Sequence, residues 1–348
     1  MLKTSAYAAY NSTEPLKPFS FDYPAIKENE VAIDILYCGI CHSDVHSARN
    51  EWKGANYPMV PGHEILGRVR EVGAMVKKFK QGDIVGVGCL VGSCQHCGEC
   101  SDGLEQYCDK SIFTYNSHSE RFNRMTYGGY AKHIVVDEHF VLSIPAGMNL
   151  AKTAPLLCAG ITVYSPMRHW NVKAGDRVGI IGIGGLGHVA VKIAKAMGAH
   201  VVVFTTSENK VAEAKNLGAD EVVISKNAAA MQAQNNQFSF ILSTVAAPHN
   251  LDPYITLLKR DGAIVFVGLP SENHPPAYMG NFIFKRRTMA GSLIGGVKET
   301  QEMLEFCAKH HITADIELIA MSDVNEAYDR IVNNDVKYRF VIDMSTLS

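Results

Sequence analysis

A chain of 348 residues is longer than one hydrophobic core usually supports, so two domains are expected. Hydrophobic residues make up 47% and charged residues 20%, as in a soluble globular protein. The net charge of −2, with no basic run longer than Lys285–Arg287, argues against nucleic acid as a partner.

No stretch approaches the apolar length of a membrane span, and residues 1–20 lack the apolar core of a signal peptide. A cytoplasmic, reducing setting is therefore expected, in which the nine cysteines are thiols or metal ligands rather than disulfides. The first 150 residues look β-rich and loop-rich. Residues 31–40 alternate Val31, Ile33 and Ile35 against Ala32 and Asp34, which predicts a half-buried strand. Residues 130–145 predict a further strand pair. Frequent glycine and proline suit an antiparallel body with long loops.

From about Lys152 strands and helices alternate. Strands are expected at 177–184, 200–205, 221–224, 238–244, 263–268 and 288–294, with helices at 186–198 and 207–218. Such alternation implies a parallel sheet covered by helices on both faces, an α/β class. The last fifty residues read helix, strand, helix, strand; they either extend this second domain or return to the first.

The run "GIGGLG" places Gly182, Gly184 and Gly187 in G-x-G-x-x-G register around Gly185 and Leu186, after a predicted strand and at the start of a predicted helix. That context suits a dinucleotide pyrophosphate at the helix N-terminus; a glycine-rich turn with no ligand is the alternative. At the end of the next strand stand Thr205, Thr206 and Ser207, followed by Glu208 and Lys210. Hydroxyls and a lysine favour a 2′-phosphate, whereas a strand-end carboxylate would repel it, so NADP(H) is expected over NAD(H). Ser207 is a candidate N-cap with Glu208 in the first turn, and Lys210 has a solvated helix lysine as its alternative reading.

Cys94, Cys97, Cys100 and Cys108 lie within fifteen residues in C-x₂-C-x₂-C-x₇-C spacing. Four thiolates close a tetrahedral zinc site and leave no position open. Cys41, His63 and Cys158 are scattered, and each alone is an ordinary buried residue. Together they match a Cys₂His zinc set, neutral in formal charge, with one position free for a substrate.

The motifs "GICHSDVH", "YPMVPGHE", the four-cysteine loop, "PLLCAGITVYSP", "GIGGLGH", "KETQEML" and "DVKYRFVID" resemble the zinc-dependent medium-chain alcohol dehydrogenases from end to end. The likeness is greatest to the cinnamyl alcohol dehydrogenase branch and its bacterial NADP-dependent aldehyde reductases. It implies a GroES-like β-rich catalytic domain at 1–150 and 297–348, and a Rossmann doubly wound parallel-sheet domain at 151–296. It also implies two zinc ions per chain, catalytic on Cys41, His63 and Cys158 and structural on the four clustered cysteines.

By the same resemblance, Glu64 lies near the catalytic zinc and Asp44 orients the zinc-binding histidine. Arg339 is expected to meet the Asp44 carboxylate and the cofactor phosphates. Ser43 and His46 form a proton relay, Thr162 packs on the nicotinamide, and His42 lies near the pyrophosphate. Trp52, Phe113 and Ile294 fall at positions lining the substrate pocket, although each is equally compatible with ordinary packing.

The implied reaction interconverts primary alcohols and aldehydes, including aromatic ones, in a homodimer joined through the dinucleotide domains. The substrate is a small molecule, with neither nucleic acid nor membrane as a partner. A polyol or secondary-alcohol dehydrogenase of the same superfamily, a zinc-free quinone reductase and a zinc-stabilised binding module are the competing readings.

Overall fold

The computed structural model describes residues 2–270 and 272–347. The chain divides into two compact units, Met1–Ile161 with Gly295–Ser348, and Thr162–Ile294. Residues 151–161, expected with the dinucleotide-binding part, pack within the first unit. The reason is local: the turns Leu150–Thr153 and Ala154–Leu157 lie against strands Glu30–Ile40 and Ile65–Val72.

The first unit is built on a seven-stranded sheet. Its path runs Leu142–Ser143, Ile84–Val87, Ile65–Val72, Glu30–Ile40, Arg339–Asp343, Ile316–Ala320, and His133–Asp137 also pairs with Glu30–Ile40. All these pairs are antiparallel except Ile316–Ala320 with Arg339–Asp343. The C-terminal segment thus returns to the first unit, its Phe340 lying opposite Ile40.

Two expectations need correction here. Strand Glu30–Ile40 is not half-buried, because Val31, Ala32 and Ile33 are all buried. Ala32 joins Tyr23 and Val135 in a second small core packed by Leu2, Phe21, Ile26 and Phe122, so both sheet faces are covered at that end. Residues 130–145 do not form a strand pair with each other. Asp137 accepts a hydrogen bond from His139 N and starts a 3₁₀ turn, after which Leu142–Ser143 pairs with Ile84–Val87 instead.

The second unit carries six parallel strands in the order Glu221–Ile224, His200–Thr205, Arg177–Ile181, Phe238–Ser243, Leu258–Phe266, Thr288–Gly291. This is the doubly wound order, whose direction reverses beside Arg177–Ile181, where ligands bind in such sheets. Buried Ile181, Val202, Phe204, Phe238, Ile241 and Ile264 lie in its core. Helix Gly187–Ala196 buries Val189, Ala190, Ile193 and Ala194 and stops at Gly198, whose φ of +85° suits glycine at a helix end. The expected helix 207–218 is shorter, a 3₁₀ turn at Glu208–Lys210 leading into Val211–Asn216. Among the described residues, no helix is long and apolar enough to cross a membrane.

Candidate metal centres and dinucleotide site

The pairing of Glu30–Ile40 with Ile65–Val72 sets the first centre. Cys38 lies opposite Ile65, and Gly39 N donates to Glu64 O at 3.0 Å, so residues just past one strand face those just before the other. Cys41 follows the first strand and opens helix His42–Ala48, while His63 and Glu64 lead into the second. Cys158 closes the turn Ala154–Leu157, which packs on both strands. All four of these residues are buried, with ligand atoms within 4.8 Å of one another.

Asp44, fully buried, organises this corner. Its Oδ2 accepts Cys41 N at 2.8 Å and Tyr130 Oη at 3.3 Å. Its Oδ1 accepts Gly62 N and His63 Nδ1, each at 3.0 Å. Because a carboxylate only accepts, His63 carries its proton on Nδ1, leaving the Nε2 lone pair for a metal.

The expected partnership of Arg339 with Asp44 is not what the structure shows. The Arg339 guanidinium pairs with Glu64 Oε1 and donates to Ile40 O at 2.9 Å. Asp44 already has its donors, whereas Glu64 is an otherwise unneutralised buried carboxylate. Burial still outweighs the Arg339 charge and lifts the Glu64 pKa to about 8. Its Oε2 has no hydrogen-bond partner among the described residues and occupies the space where a Cβ on residue 39 would lie. Gly39 is therefore required by that carboxylate.

The second centre is the four-cysteine loop, with Cys94, Cys97 and Cys100 half-buried and Cys108 buried. Backbone N–H groups serve the sulfurs: Cys97 N donates to Cys94 Sγ and Lys110 N to Cys108 Sγ, both at 3.3 Å. The N–H groups of His96 and Cys97 outweigh desolvation and bring the Cys94 thiol down to about 6.

Both donor sets fit zinc. Two Zn–S bonds of about 2.3 Å at a tetrahedral angle span about 3.8 Å. Cys41 Sγ and Cys158 Sγ are 3.9 Å apart, and so are Cys94 Sγ and Cys100 Sγ. In the buried pair, the Cys158 S–H holds the Cys41 thiol well below its usual range, and Cys41 in turn pushes Cys158 up. Such a pair takes one negative charge readily and gives up its second proton when a cation joins it.

Around the first set, Ser43 Oγ lies 3.5 Å from Cys41 Sγ. His46, on the same helix, pairs through Nδ1 with Glu51, and its ring lies 4.7 Å from that of Trp52. The His42 ring is 5.4 Å from that of His46, and burial lowers the His42 pKa. Trp52 and Phe113 are partly exposed, at 37% and 38%. Ile294 belongs to the second unit and has a φ of +36°.

In the second unit, Gly182 has a φ of +90°, and a Cβ on Gly187 would strike Gly182 O, so the turn needs both glycines. Gly184 is exposed with nothing near its Cβ direction, which leaves room for a phosphate, and Gly185 and Leu186 complete the turn into helix Gly187–Ala196. Lys210 Nζ reaches back to Ile183 O at 3.3 Å, which brings its charge to this turn. Thr205 is buried at its strand end and Thr206 exposed. Ser207 opens the 3₁₀ turn but does not cap it through its side chain; its Oγ donates to Asn209 Oδ1 at 2.8 Å. Thr162 is buried on helix Ala159–His169.

Sequence reasoning missed several neighbours. Glu51 was discoverable as an acid five residues beyond His46. Tyr130 and Tyr115 (whose ring lies 5.7 Å from that of His63) belong to no local pattern. Cys89, whose thiol approaches Cys158 and lies 3.9 Å from Leu157 O, is a further sulfur beside the first set.

Comparison with known proteins gives the family. Residues 27–146 match the alcohol dehydrogenase GroES-like domain, and residues 185–309 match the zinc-binding dehydrogenase domain. The chain is 57% identical over 348 residues to aldehyde reductase YahK of Escherichia coli (strain K12), covering 100% of both chains. A cinnamyl alcohol dehydrogenase from Sorghum bicolor superimposes with a TM-score of 0.96 at 43% identity, covering 99% of each chain. A Helicobacter pylori CAD solved with NADP(H) gives 0.94 at 44% identity, covering 100% of this chain and 99% of that one. With two donor sets that fit zinc, a doubly wound sheet and these likenesses along the whole chain, the protein belongs to the zinc-binding alcohol dehydrogenases, oxidoreductases of the alcohol–aldehyde pair.

Proposed function

We propose that this protein is a zinc- and NADP(H)-dependent aldehyde reductase and alcohol dehydrogenase, acting on primary alcohols and their aldehydes, aromatic ones included. The observation that carries the reading is the buried Cys41–His63–Cys158 set, held by Asp44, with its thiols at the span of a tetrahedral zinc. YahK, named an aldehyde reductase, and the NADP(H)-bound H. pylori protein support the direction and the cofactor.

In this reading the first unit is the catalytic domain and the second binds the dinucleotide. Bound zinc supplies a Lewis acid that polarises the carbonyl, and the nicotinamide supplies or accepts hydride. Cys41, His63 and Cys158 hold that metal and leave it open to substrate, with Glu64 beside it. Cys94, Cys97, Cys100 and Cys108 hold the structural zinc. Ser43 Oγ, close to Cys41 Sγ, exchanges the substrate proton, and His46 passes it toward solvent while Glu51 holds the ring through Nδ1.

Gly182, Gly184 and Gly187 admit the pyrophosphate, while Thr205, Thr206, Ser207 and Lys210 receive the 2′-phosphate. Thr162 packs on the nicotinamide. Trp52 and Phe113, both of the first unit, favour a planar apolar aldehyde.

The chain acts in the cytoplasm as a homodimer. Strand Thr288–Gly291 is an edge of the six-stranded sheet, and Ile283 and Phe284, next to it in sequence, are 75% and 79% exposed. Phe284→Asp should yield a monomer by light scattering; a monomeric parent protein would refute the assembly.

The deciding experiment is a panel of aldehydes and alcohols assayed with NADPH and NADH and ranked by kcat/KM. Aromatic aldehydes with NADPH should lead. Lys210→Ala should raise the KM for NADPH about tenfold, a loss of about 1.4 kcal/mol, while moving that for NADH little. Equal effects on the two cofactors would overturn the 2′-phosphate assignment.

A further inference from the structure

The Asp44 carboxylate accepts four hydrogen bonds, enough to occupy its lone pairs. Two come from backbone N–H groups and one from His63 itself. The fourth comes from Tyr130, whose place is built into the turn that carries His63. Gly128 N donates to Val60 O at 2.8 Å, Gly129 N to Gly62 O at 2.8 Å and Tyr130 N to Pro61 O at 3.0 Å. Gly62 has a φ of +102°, and a Cβ on it would lie 2.7 Å from Tyr130 Cδ1, so the turn leaves room for the tyrosine ring.

Behind Tyr130 stands Tyr328, on helix Val324–Val332, its hydroxyl donating to Tyr130 Oη at 3.5 Å. Tyr130 is 0% exposed and Tyr328 3%, so water does not compete for either hydroxyl. Desolvation, reinforced by the Asp44 charge, raises both phenol pKa values well above their usual range and keeps both groups as donors. The direction of donation therefore runs one way: Tyr328 to Tyr130, Tyr130 to Asp44, with Asp44 receiving also from His63.

We propose that Tyr130, supported by Tyr328, is a positioning residue that fixes the Asp44 carboxylate and thereby the metal-facing nitrogen of His63. The inference rests on the catalytic zinc assignment made above. Without the phenol, one lone pair of a buried carboxylate loses its donor, and the carboxylate is freer to turn away from His63 Nδ1. The consequence is a looser hold on the zinc of the Cys41 set, while the four-cysteine zinc, served by its own backbone N–H groups, is unaffected.

The test compares holoenzymes of the parent protein, Tyr130→Phe and Tyr328→Phe for zinc content by elemental analysis and for the rate of zinc release to EDTA. Cys41→Ser, expected to lose one metal, identifies the release phase of the Cys41 set. Tyr130→Phe should accelerate that phase about three- to tenfold, a fraction of what loss of a whole outer-shell partner produces, and Tyr328→Phe about twofold. The other phase should not move. Release of both metals accelerated equally, or neither changed in Tyr130→Phe, would overturn the proposal, since the first is general loosening and the second no role. A parent protein binding fewer than two zincs would instead sink the metal assignment, and this inference with it.

Discussion

The two sulfur clusters of this protein offer the same atoms in opposite settings. The four-cysteine loop gathers its donors within fifteen residues, three of the four half-exposed, and serves the sulfurs with its own backbone N–H groups. The Cys41 set draws on three distant segments, is buried throughout, and leans on Asp44 beside Cys41 and on Tyr130 and Arg339 from other parts of the unit. Donors that complete the coordination of a metal make it a structural tie. Donors that stop at three, in a dry and rigid corner, leave it reactive. On the proposed assignment, density of cysteine in a sequence does not mark the reactive centre.

The strongest way to break this comparison is Cys41→Ser. It should reduce turnover at least about a thousandfold and lower zinc from two ions to one, with dinucleotide binding by fluorescence retained. Retained turnover would remove Cys41 from the ligand set. Next in size is Asp44→Asn, which keeps the shape of the side chain but reverses one donor–acceptor pairing. Zinc affinity of the Cys41 set, measured by competition with a chelator, should fall about 10- to 100-fold. An unchanged affinity would mean that the histidine needs no carboxylate behind it.

Cys97→Ser should act on the other side of the contrast. It should release the second zinc and shorten the thermal-inactivation half-life, while kcat per folded molecule stays within about tenfold of the parent. A large loss of kcat with both metals still bound would show that the loop takes part in the reaction. The smallest effect is expected from Glu51→Gln, a decrease of kcat by about two- to fivefold with both zincs in place. A change in zinc content would place Glu51 in the metal framework rather than behind His46.

The sequence alone determined what depends on near neighbours. The spacing of Cys94 to Cys108 marked a four-thiolate site, and Gly182, Gly184 and Gly187 between strand and helix marked a phosphate turn. In both, donors or backbone freedom must lie within a few residues for the chemistry to work. The family resemblance then carried the reading further, naming Asp44 and Glu64 and giving the scattered set the catalytic zinc.

Only the tertiary structure decided which groups meet across the fold. It assigned Arg339 to Glu64 rather than to Asp44, because strand Arg339–Asp343 sets the guanidinium beside Ile40 and the unneutralised carboxylate. It also brought Tyr130 and Tyr328 to Asp44 from 86 and 284 residues away, distances at which no spacing rule operates. It covered the second face of strand Glu30–Ile40, hiding the alternation that the sequence displayed. A buried charge takes its partners from whatever the fold packs around it, and that is settled by sheet register and strand order, which local sequence does not contain.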